Sequence, residues 1–369
     1  MGPAGSPLSP DDIEVVAPNF KRRLSGVTAT IQRLVPLQAR SLGIVALGPN
    51  LGARVPRIGC VTLLKLWRRP KKRPFRIWHA RRNIEMLTGL VLRDLLRLPL
   101  RIVFTSASQR HHTAYTRALI ARVDAVISTS RATATYLKRP STVVMHGIDT
   151  ELFHPAADPA EAWKAAGLPG SLGIGCFGRI RHQKGTDVFV DAMIRLLPRF
   201  PEATAVVLGR TTPPHQGFEA DLHRRIADAG LADRILFPGE VDVDAIADWY
   251  RRLSLFVAPQ RWEGFGLTPL EAMSSGVPVV ATTVGAFPEL VVPGVTGDLV
   301  PPGDVEAMVT AVEAILSDPA RRRTMALAAR DHIGQRFTLE REAAAVIAVY
   351  EGLWRSAERA TVEAPRDPS

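Results

Sequence analysis

The sequence has few cysteines and lacks both a long apolar segment and the pattern of an export signal. Two cysteines among 369 residues, Cys60 and Cys176, provide neither a disulfide framework nor a metal-ligand cluster, which favours a reducing compartment. No run reaches the ~18 apolar residues of a transmembrane helix, so we predict no membrane span. Residues 1–18 have no basic start before an apolar core, so we expect no secretory signal. These absences together predict a cytoplasmic protein.

Strands and helices are predicted to alternate along nearly the whole chain. A length of 369 residues with 46% hydrophobic residues suits two domains of ordinary size. The alternation predicts an α/β fold with two doubly wound parallel sheets, whose ligands bind at the carboxyl ends of strands. One long helix is predicted over residues 83–98. The predicted divisions are a first domain at 1–155, a second domain at 156–340, a helix at 341–359 and a disordered tail at 360–369.

The charge is distributed unevenly between the two halves of the chain. Residues 1–150 contain 25 Lys and Arg against 7 Asp and Glu, whereas residues 151–369 contain 22 against 29, giving +18 and −7 within the net +11. Nine of the basic residues, with three aromatic residues among them, fall within 65–82. This cluster has three interpretations: a solvated basic face, a groove for single-stranded nucleic acid, or a surface for a membrane or an anionic glycolipid. No recognised nucleic-acid motif accompanies it, so we favour the third.

The segment 260–304 carries the clearest functional pattern. It places Glu263 and Glu271 eight residues apart across a glycine-bearing turn. A helix is predicted to begin with Thr268 as its N-cap, and the free backbone N–H groups of such a helix start suit a phosphate. The two carboxylates suit sugar hydroxyls, so the segment fits a nucleotide-sugar. Each also has a structural interpretation, as a solvated loop residue for Glu263 and as part of a capping box for Glu271.

Two other letter patterns lack the context that their usual chemistry needs. The G-x-G-x-x-G at 173–178 lies inside a predicted strand, whereas the dinucleotide fingerprint follows a strand and opens a helix. The D-x-D at 242–244 resembles a helix start rather than the metal site of a metal-dependent transferase. We therefore predict no metal and no bound cofactor.

Three segments resemble family 4 of the glycosyltransferases. EGFGLTPLEAMSSGVPVVAT is similar to the E-x7-E signature of that family, and FGRIRHQKGTD at 177–187 to its G-R-x4-K-G loop. HGIDTELFHP at 146–155 resembles its N-G-V-D-x3-F-x-P segment, with His146 in place of the asparagine. The similarity is close over 124–350 and looser in the N-terminal third. APNFKRRLSGV, WHARRN and FTSASQRHH resemble one subgroup, the lipopolysaccharide core mannosyltransferases of Gram-negative bacteria.

The resemblance implies an architecture and a role for individual residues. Family members have two facing Rossmann-like domains, the GT-B architecture, and a C-terminal helix that crosses back onto the first. Arg179 and Lys184 are implied to hold the donor diphosphate, and Glu263, the third implied catalytic residue, to bind hydroxyls of the transferred sugar. Glu271 is implied to bind the ribose. The other implied substrate contacts are the loop residues Ser25 and Gly26, His79 and Arg81 where the family often has H-x-H, and the backbone of Gly264, Phe265, Gly266, Leu267 and Thr268.

The resemblance also implies a reaction. A hexose, in the subgroup mannose from GDP-mannose, would pass to the inner core of a lipopolysaccharide precursor with retention of configuration and without a metal ion. The acceptor would be an anionic glycolipid of the Kdo-lipid A type, in keeping with the basic first domain. The protein would then lie peripherally on the cytoplasmic face of the inner membrane and bind no nucleic acid. UDP-glucose, UDP-galactose or ADP-heptose as donor, a sugar-nucleotide epimerase of the same fold, and a non-enzymatic basic binding protein remain open alternatives.

Overall fold

The computed structural model describes residues 8–22, 26–63, 65–242 and 245–363, with only the backbone for 361–363. The chain forms two compact units, each built around one parallel sheet. Unit 1 is Met1–Met145 with Leu339–Ser369, and unit 2 is His146–Thr338. Among the described residues, no helix is both long and apolar enough to cross a membrane.

Unit 2 begins at His146 rather than at residue 156, where the sequence predicts the boundary. The backbone N–H of Ile148 donates to the carbonyl of Phe337 at 2.8 Å. The carbonyl of Phe153 accepts from the Ser274 hydroxyl at 2.6 Å, and the ring of Phe153 packs edge-on against the ring of Tyr250 in unit 2. The segment 146–155 thus packs within unit 2, a contact that its sequence pattern does not reveal.

Unit 1 contains a parallel sheet of seven strands, as far as the described residues show, in the order β3-β2-β1-β4-β5-β6-β7. Buried residues form separate clusters on its two faces, as expected for a doubly wound sheet. The strands are β1 Val15–Pro18, β2 Ile44–Leu47, β3 Arg57–Ile58, β4 Arg76–Ala80, β5 Leu100–Ser106, β6 Ala125–Ser128 and β7 Thr142–Val143. The helices before residue 146 are α1 Gly26–Gln38, α2 Cys60–Leu63, α3 Asn83–Leu90, α4 Ala114–Arg122 and α5 Arg131–Thr135.

The helix predicted over 83–98 is shorter and ends differently. After α3 the chain makes a π-helical turn at Val91–Leu95, closed by a 3.0 Å hydrogen bond from Leu96 N to Val91 O. Arg97 then adopts a left-handed conformation with φ 56°, which ends the helix. The wider π turn changes which side chains share a face with those of α3.

Unit 2 contains, within the described residues, a parallel sheet of six strands in the order β10-β9-β8-β11-β12-β13. Its strands are β8 Leu172–Phe177, β9 Ala203–Leu208, β10 Ile235–Gly239, β11 Leu255–Ala258, β12 Val279–Thr282 and β13 Gly297–Val300. Its helices are α6 Pro159–Ala165, α7 Thr186–Leu196, α8 Gln216–Asp228, α9 Ile246–Arg251, α10 Thr268–Ser274, α11 Phe287–Leu290, α12 Val305–Leu316 and α13 Pro319–Arg336. The glycines of the 173–178 pattern lie in or directly after β8, which confirms the predicted strand there.

The last helix, α14 Leu339–Glu363, belongs to unit 1 although it follows unit 2 in the chain. Tyr350 and Trp354 are fully buried in one core cluster of unit 1. The Trp354 indole donates to the carbonyl of Phe75 at 3.0 Å, and Arg73 lies over its ring and pairs with Glu351. The helix is longer than the predicted 341–359, and residues 364–369 of the predicted tail lie outside the described residues.

Candidate active site

A cavity of about 300 Å³ opens in unit 2 beyond the carboxyl ends of β8, β9 and β10. Ligands of parallel α/β sheets bind in this position, because loops diverge there and leave backbone groups open. The residues that line the cavity are Phe177, Gly178, Arg179, Leu208, Gly209, Arg210, Glu240, Val241, Ile246, Tyr250, Thr268 and Glu271.

The ends of β8 and β9 approach closely because each strand is followed by a glycine. Gly209 has φ 141°, and a Cβ there would lie 1.9 Å from the carbonyl oxygen of Gly178. No other residue type fits this contact. The residue after each glycine is an arginine, so Arg179 and Arg210 reach the cavity from neighbouring strands.

The loop that follows Arg179 is tied to the rest of unit 2 by Arg261. The Arg261 guanidinium donates to both carboxylate oxygens of Asp187, at 2.7 and 2.8 Å, and to the carbonyl of His182 at 2.8 Å. Burial acts to raise the pKa of Asp187, but the hydrogen bonds and charge of Arg261 outweigh it and lower that pKa. The loop therefore has a defined conformation set by an ion pair.

Gly185 fixes the backbone next to Lys184. It has φ 71°, and a Cβ at this position would lie 1.8 Å from the carbonyl oxygen of Pro259. The close contact brings the loop after β8 against the end of β11. Lys184 is the last residue of the short 3₁₀ turn just before this glycine, so its position depends on the contact.

Lys184 and Glu263 form an ion pair that is largely shielded from solvent. The Nζ of Lys184 lies 2.5 Å from Oε2 of Glu263, and the side chains are 21% and 17% exposed. The other carboxylate oxygen accepts from the backbone N–H of Gly264 at 2.9 Å. Nearby, burial raises the pKa of the Cys176 thiol to about 12, although the charge of Lys184 opposes this. The two residues predicted to bind phosphate and sugar are thus direct partners.

Glu271 is held by a buried tyrosine. The Tyr250 hydroxyl donates to Oε2 of Glu271 at 2.8 Å. Burial and the adjacent carboxylate raise the pKa of Tyr250 well above its ordinary value, so the phenol keeps its proton and remains a donor. The predicted N-cap was wrong by one residue, since Leu267 precedes α10 and makes no side-chain cap. The structural alternative for Glu271, a capping box with Thr268 as its N-cap, therefore does not have the predicted N-cap.

The glycine-bearing turn between the two glutamates joins the two parts of the site. Phe265 is buried, and its ring packs edge-on against His146 with centroids 4.8 Å apart. Thr268 lines the cavity beside Glu271. The remaining turn residues, Gly264, Gly266 and Leu267, are partly exposed.

The predicted site residues His79 and Arg81 make their hydrogen bonds within unit 1. His79 is 1% exposed, and both ring nitrogens are engaged, by the Tyr350 hydroxyl at 2.5 Å and the Thr105 hydroxyl at 2.6 Å. Both ring nitrogens of His79 are therefore engaged within unit 1, and its substrate contact stays a prediction. Arg81 is 9% exposed and donates to the carbonyl of His79. Gly26 is the exposed first residue of α1.

Some predictions fall partly outside the described residues. The predicted substrate contact of Ser25 cannot be placed, and neither can two of the three residues of the D-x-D pattern at 242–244. Among the residues that the structure does describe, no group of three or more His, Cys, Asp or Glu side chains is arranged to hold a metal ion. Catalysis without a metal stays a prediction.

Sequence reasoning missed Tyr250, Arg210 and the Arg261–Asp187 pair. Arg210 had a usable signal, because Gly-Arg follows both β8 and β9 and parallel strands end at one edge of the sheet. Tyr250 had none, since it lies on α9, away from the glutamate motif in the chain, and only tertiary packing brings it to Glu271.

This chain is similar to known glycosyltransferases. The family model for glycosyl transferases group 1 matches residues 171–318. The lipopolysaccharide core biosynthesis mannosyltransferase LpsB of Rhizobium meliloti (strain 1021) is 58% identical over 349 residues, covering 93% of this chain and 99% of that protein. LpcC of Rhizobium leguminosarum bv. viciae, which carries the same descriptive name, is 53% identical over 343 residues, covering 93% and 97%.

Solved structures agree on the fold. The structure of Anabaena HepE in complex with UDP matches with a TM-score of 0.79 at 20% identity, covering 92% of this chain and all of that one. The C-terminal domain of a group 1 glycosyl transferase, LpcC from Francisella tularensis, matches with a TM-score of 0.51 at 38% identity, covering 52% and 99%. The two Rossmann-like parallel sheets of the present chain have the GT-B fold. Because the similarity to LpsB extends over nearly the whole chain, this protein belongs to the group 1 glycosyl transferases and is a glycosyltransferase.

Proposed function

We propose that this chain transfers mannose from GDP-mannose to the inner core of a lipopolysaccharide precursor, with retention of configuration and without a metal ion. LpsB and LpcC, both named lipopolysaccharide core mannosyltransferases, support this at 58% and 53% identity. A Mycolicibacterium smegmatis mannosyltransferase named as GDP-mannose-dependent is 32% identical over 202 residues and supports the donor. The observation that carries the proposal is the Lys184–Glu263 pair, a cation and a carboxylate at the strand ends of a nucleotide-binding fold.

The cations of unit 2 hold the donor diphosphate in this proposal. Arg179 lies at the cavity, and Lys184 lies on the loop that begins with Arg179. Charge-assisted hydrogen bonds from two such cations stabilise the negative charge that grows on the leaving diphosphate, the task that a metal ion performs in other transferases. Lys184 exchanges part of its contact with Glu263 for a phosphate oxygen when the donor binds.

The carboxylates bind the two sugars of the donor. Glu263 accepts hydrogen bonds from hydroxyls of the transferred mannose, and Glu271, oriented by Tyr250, accepts from the ribose. The bond between the anomeric carbon and the diphosphate oxygen breaks, and the acceptor oxygen bonds to that carbon on the same face. The acceptor hydroxyl gives its proton to the departing phosphate, so neither glutamate acts as a nucleophile.

The acceptor is proposed to be an anionic glycolipid of the Kdo-lipid A type at the cytoplasmic membrane face. Its carboxylates and phosphates complement the excess of basic residues in 1–150. The same excess attracts the protein to an anionic leaflet, which places it peripherally on the membrane that contains its acceptor.

A thermal-shift series followed by transfer assays tests the proposal. GDP-mannose should raise the melting temperature more than UDP-glucose, UDP-galactose or ADP-heptose, because a ligand stabilises the folded state according to its affinity. Mannose transfer to a Kdo-bearing lipid A precursor in the presence of a chelator is then expected. A larger shift and transfer with another donor would assign a different transferase, and conversion of the donor without an acceptor would assign an epimerase.

A further inference from the structure

Helix α3 and the π turn after it present apolar side chains to solvent. Leu87, Val91 and Leu95 line one groove, and Ile84 lies on α3 three residues before Leu87, on the same side of that helix. Ile84, Leu87, Val91 and Leu95 are 52%, 38%, 40% and 74% exposed. Tyr115 of α4, 53% exposed, joins the last three around a shallow groove of about 320 Å³. We call these five residues the α3 apolar face, and contiguous apolar surface of this kind marks an interaction site.

A basic segment borders the α3 apolar face. The indole of Trp67, 45% exposed, donates to the carbonyl of Leu96 at 2.9 Å, which fixes the segment around Trp67 beside the end of the π turn. No Asp or Glu occurs in residues 65–84. Five exposed cations precede or follow Trp67 there: Lys65, Arg68, Arg69, Lys71 and Lys72. Asp12 pairs with Lys71 at 3.8 Å and Asp11 lies beside Lys65 and Arg68, so these two carboxylates offset part of that charge.

Among the described residues that line the groove, Asp94 is the one carboxylate, and arginines neutralise it. Asp94 pairs with Arg93 and with Arg122, each at 2.7 Å, and its carboxyl pKa is lowered mainly by the hydrogen bond from Arg93. The groove therefore presents no unpaired negative charge to a partner. An anionic surface could approach it without repulsion.

We propose that the α3 apolar face and the cations beside it dock unit 1 onto an anionic phospholipid bilayer. This rests on the proposed function and identifies the surface that holds the enzyme at the membrane. Leucine, isoleucine and valine side chains enter the boundary between headgroups and acyl chains, while Trp67 and Tyr115 suit the interface itself. A second copy of this chain fits less well, because two such surfaces would bring their cations together.

Vesicle flotation of the full chain, without donor or acceptor, tests the docking. The protein should float with vesicles of phosphatidylglycerol and phosphatidylcholine, and much less with phosphatidylcholine alone. Leu95→Glu should lower the partition coefficient by about tenfold or more, because an apolar side chain that enters the bilayer is replaced by a charge that must stay in water. Leu327→Glu is the matched control, since Leu327 is 72% exposed in unit 2, and it should float as the unsubstituted protein does.

A second variant tests the cations separately. Arg68→Gln with Arg69→Gln should lower the partition by about tenfold and reduce its dependence on salt. Equal flotation of Leu95→Glu and the unsubstituted protein, or equal loss in Leu327→Glu, would overturn the proposal. So would a dimer in sedimentation velocity that Leu95→Glu dissociates while flotation is unchanged. Transfer to a water-soluble acceptor fragment, measured in parallel, distinguishes failure of docking from failure of the proposed reaction.

Discussion

The Nζ of Lys184 lies 2.5 Å from Oε2 of Glu263 although 79 positions separate the residues in the chain. Both side chains are mostly shielded from water. In such a shielded site a charge-assisted hydrogen bond is stronger than at an open surface. The pair holds the proposed phosphate-binding cation and the proposed sugar-binding carboxylate in position before the donor arrives. Such preorganisation reduces the ordering cost of binding.

Lys184→Ala should weaken donor binding and transfer while leaving the protein folded. A charge-assisted hydrogen bond contributes roughly 1.5–3 kcal/mol, so the loss in kcat/KM should be about tenfold to over a hundredfold. Calorimetric titration with GDP-mannose and steady-state kinetics measure it. Lys164→Ala, at an exposed lysine of α6, is the control and should change neither value. Unchanged turnover in Lys184→Ala would count against the site.

Tyr250→Phe should weaken donor binding through Glu271. The variant keeps the buried ring and removes only the hydroxyl that donates to the carboxylate. We expect about tenfold weaker binding of GDP-mannose and about 1 kcal/mol lower stability, the usual size for one hydrogen bond. Tyr115→Phe, at an exposed tyrosine of unit 1, should bind the donor normally. Equal donor affinity in all three proteins would show that the Tyr250 hydroxyl does not position Glu271 for the donor.

Gly185→Ala should distort the loop that carries Lys184. Its φ of 71° and the 1.8 Å approach of the new Cβ to the Pro259 carbonyl force the backbone to move. We expect a loss of stability of about 1–3 kcal/mol and at least about tenfold weaker donor binding. Gly217→Ala is the control, because no atom lies within 4 Å of a Cβ there. If Gly185→Ala binds GDP-mannose normally, the loop geometry does not matter for the donor.

His79 should make the protein less stable as the pH falls below about 6.5. Burial first, and then the charge of Arg81, lower the pKa of His79 well below its ordinary value. Above pH ~6.5 the imidazole is neutral in both states and contributes nothing. Below it, the unfolded chain binds a proton that the folded chain does not, so stability falls by up to about 1.4 kcal/mol per pH unit.

The melting temperature of His79→Gln, followed from about pH 7.5 to about pH 5.5, measures this contribution. The variant should lose less melting temperature over that interval than the unsubstituted protein, whatever its stability at neutral pH. His111→Gln, at an exposed histidine of the same unit, is the matched control. Identical slopes for all three would show that His79 does not titrate differently on folding.

The fold was predicted more completely from sequence than its boundaries were. Buried apolar segments such as β8 and β12 identify parallel strands, because a strand covered on both faces has no polar side. The end of α3 was not predictable, since a π turn replaces the α-helical turn after Leu90 and periodicity does not distinguish the two. The unit boundary at His146 depends on packing partners far away in the chain.

The sequence by itself determined the GT-B fold and the motif residues Arg179, Lys184, Glu263 and Glu271. Glycine spacing, strand–helix alternation and a family signature involve residues that are near one another in the chain, so they can be recognised from the sequence alone. Only the tertiary structure decided that Lys184 pairs with Glu263 and that Tyr250 donates a hydrogen bond to Glu271. It likewise decided that His79 hydrogen-bonds to Tyr350, a residue of the last helix. Those contacts join positions far apart in the chain, and folding alone brings them within hydrogen-bonding distance.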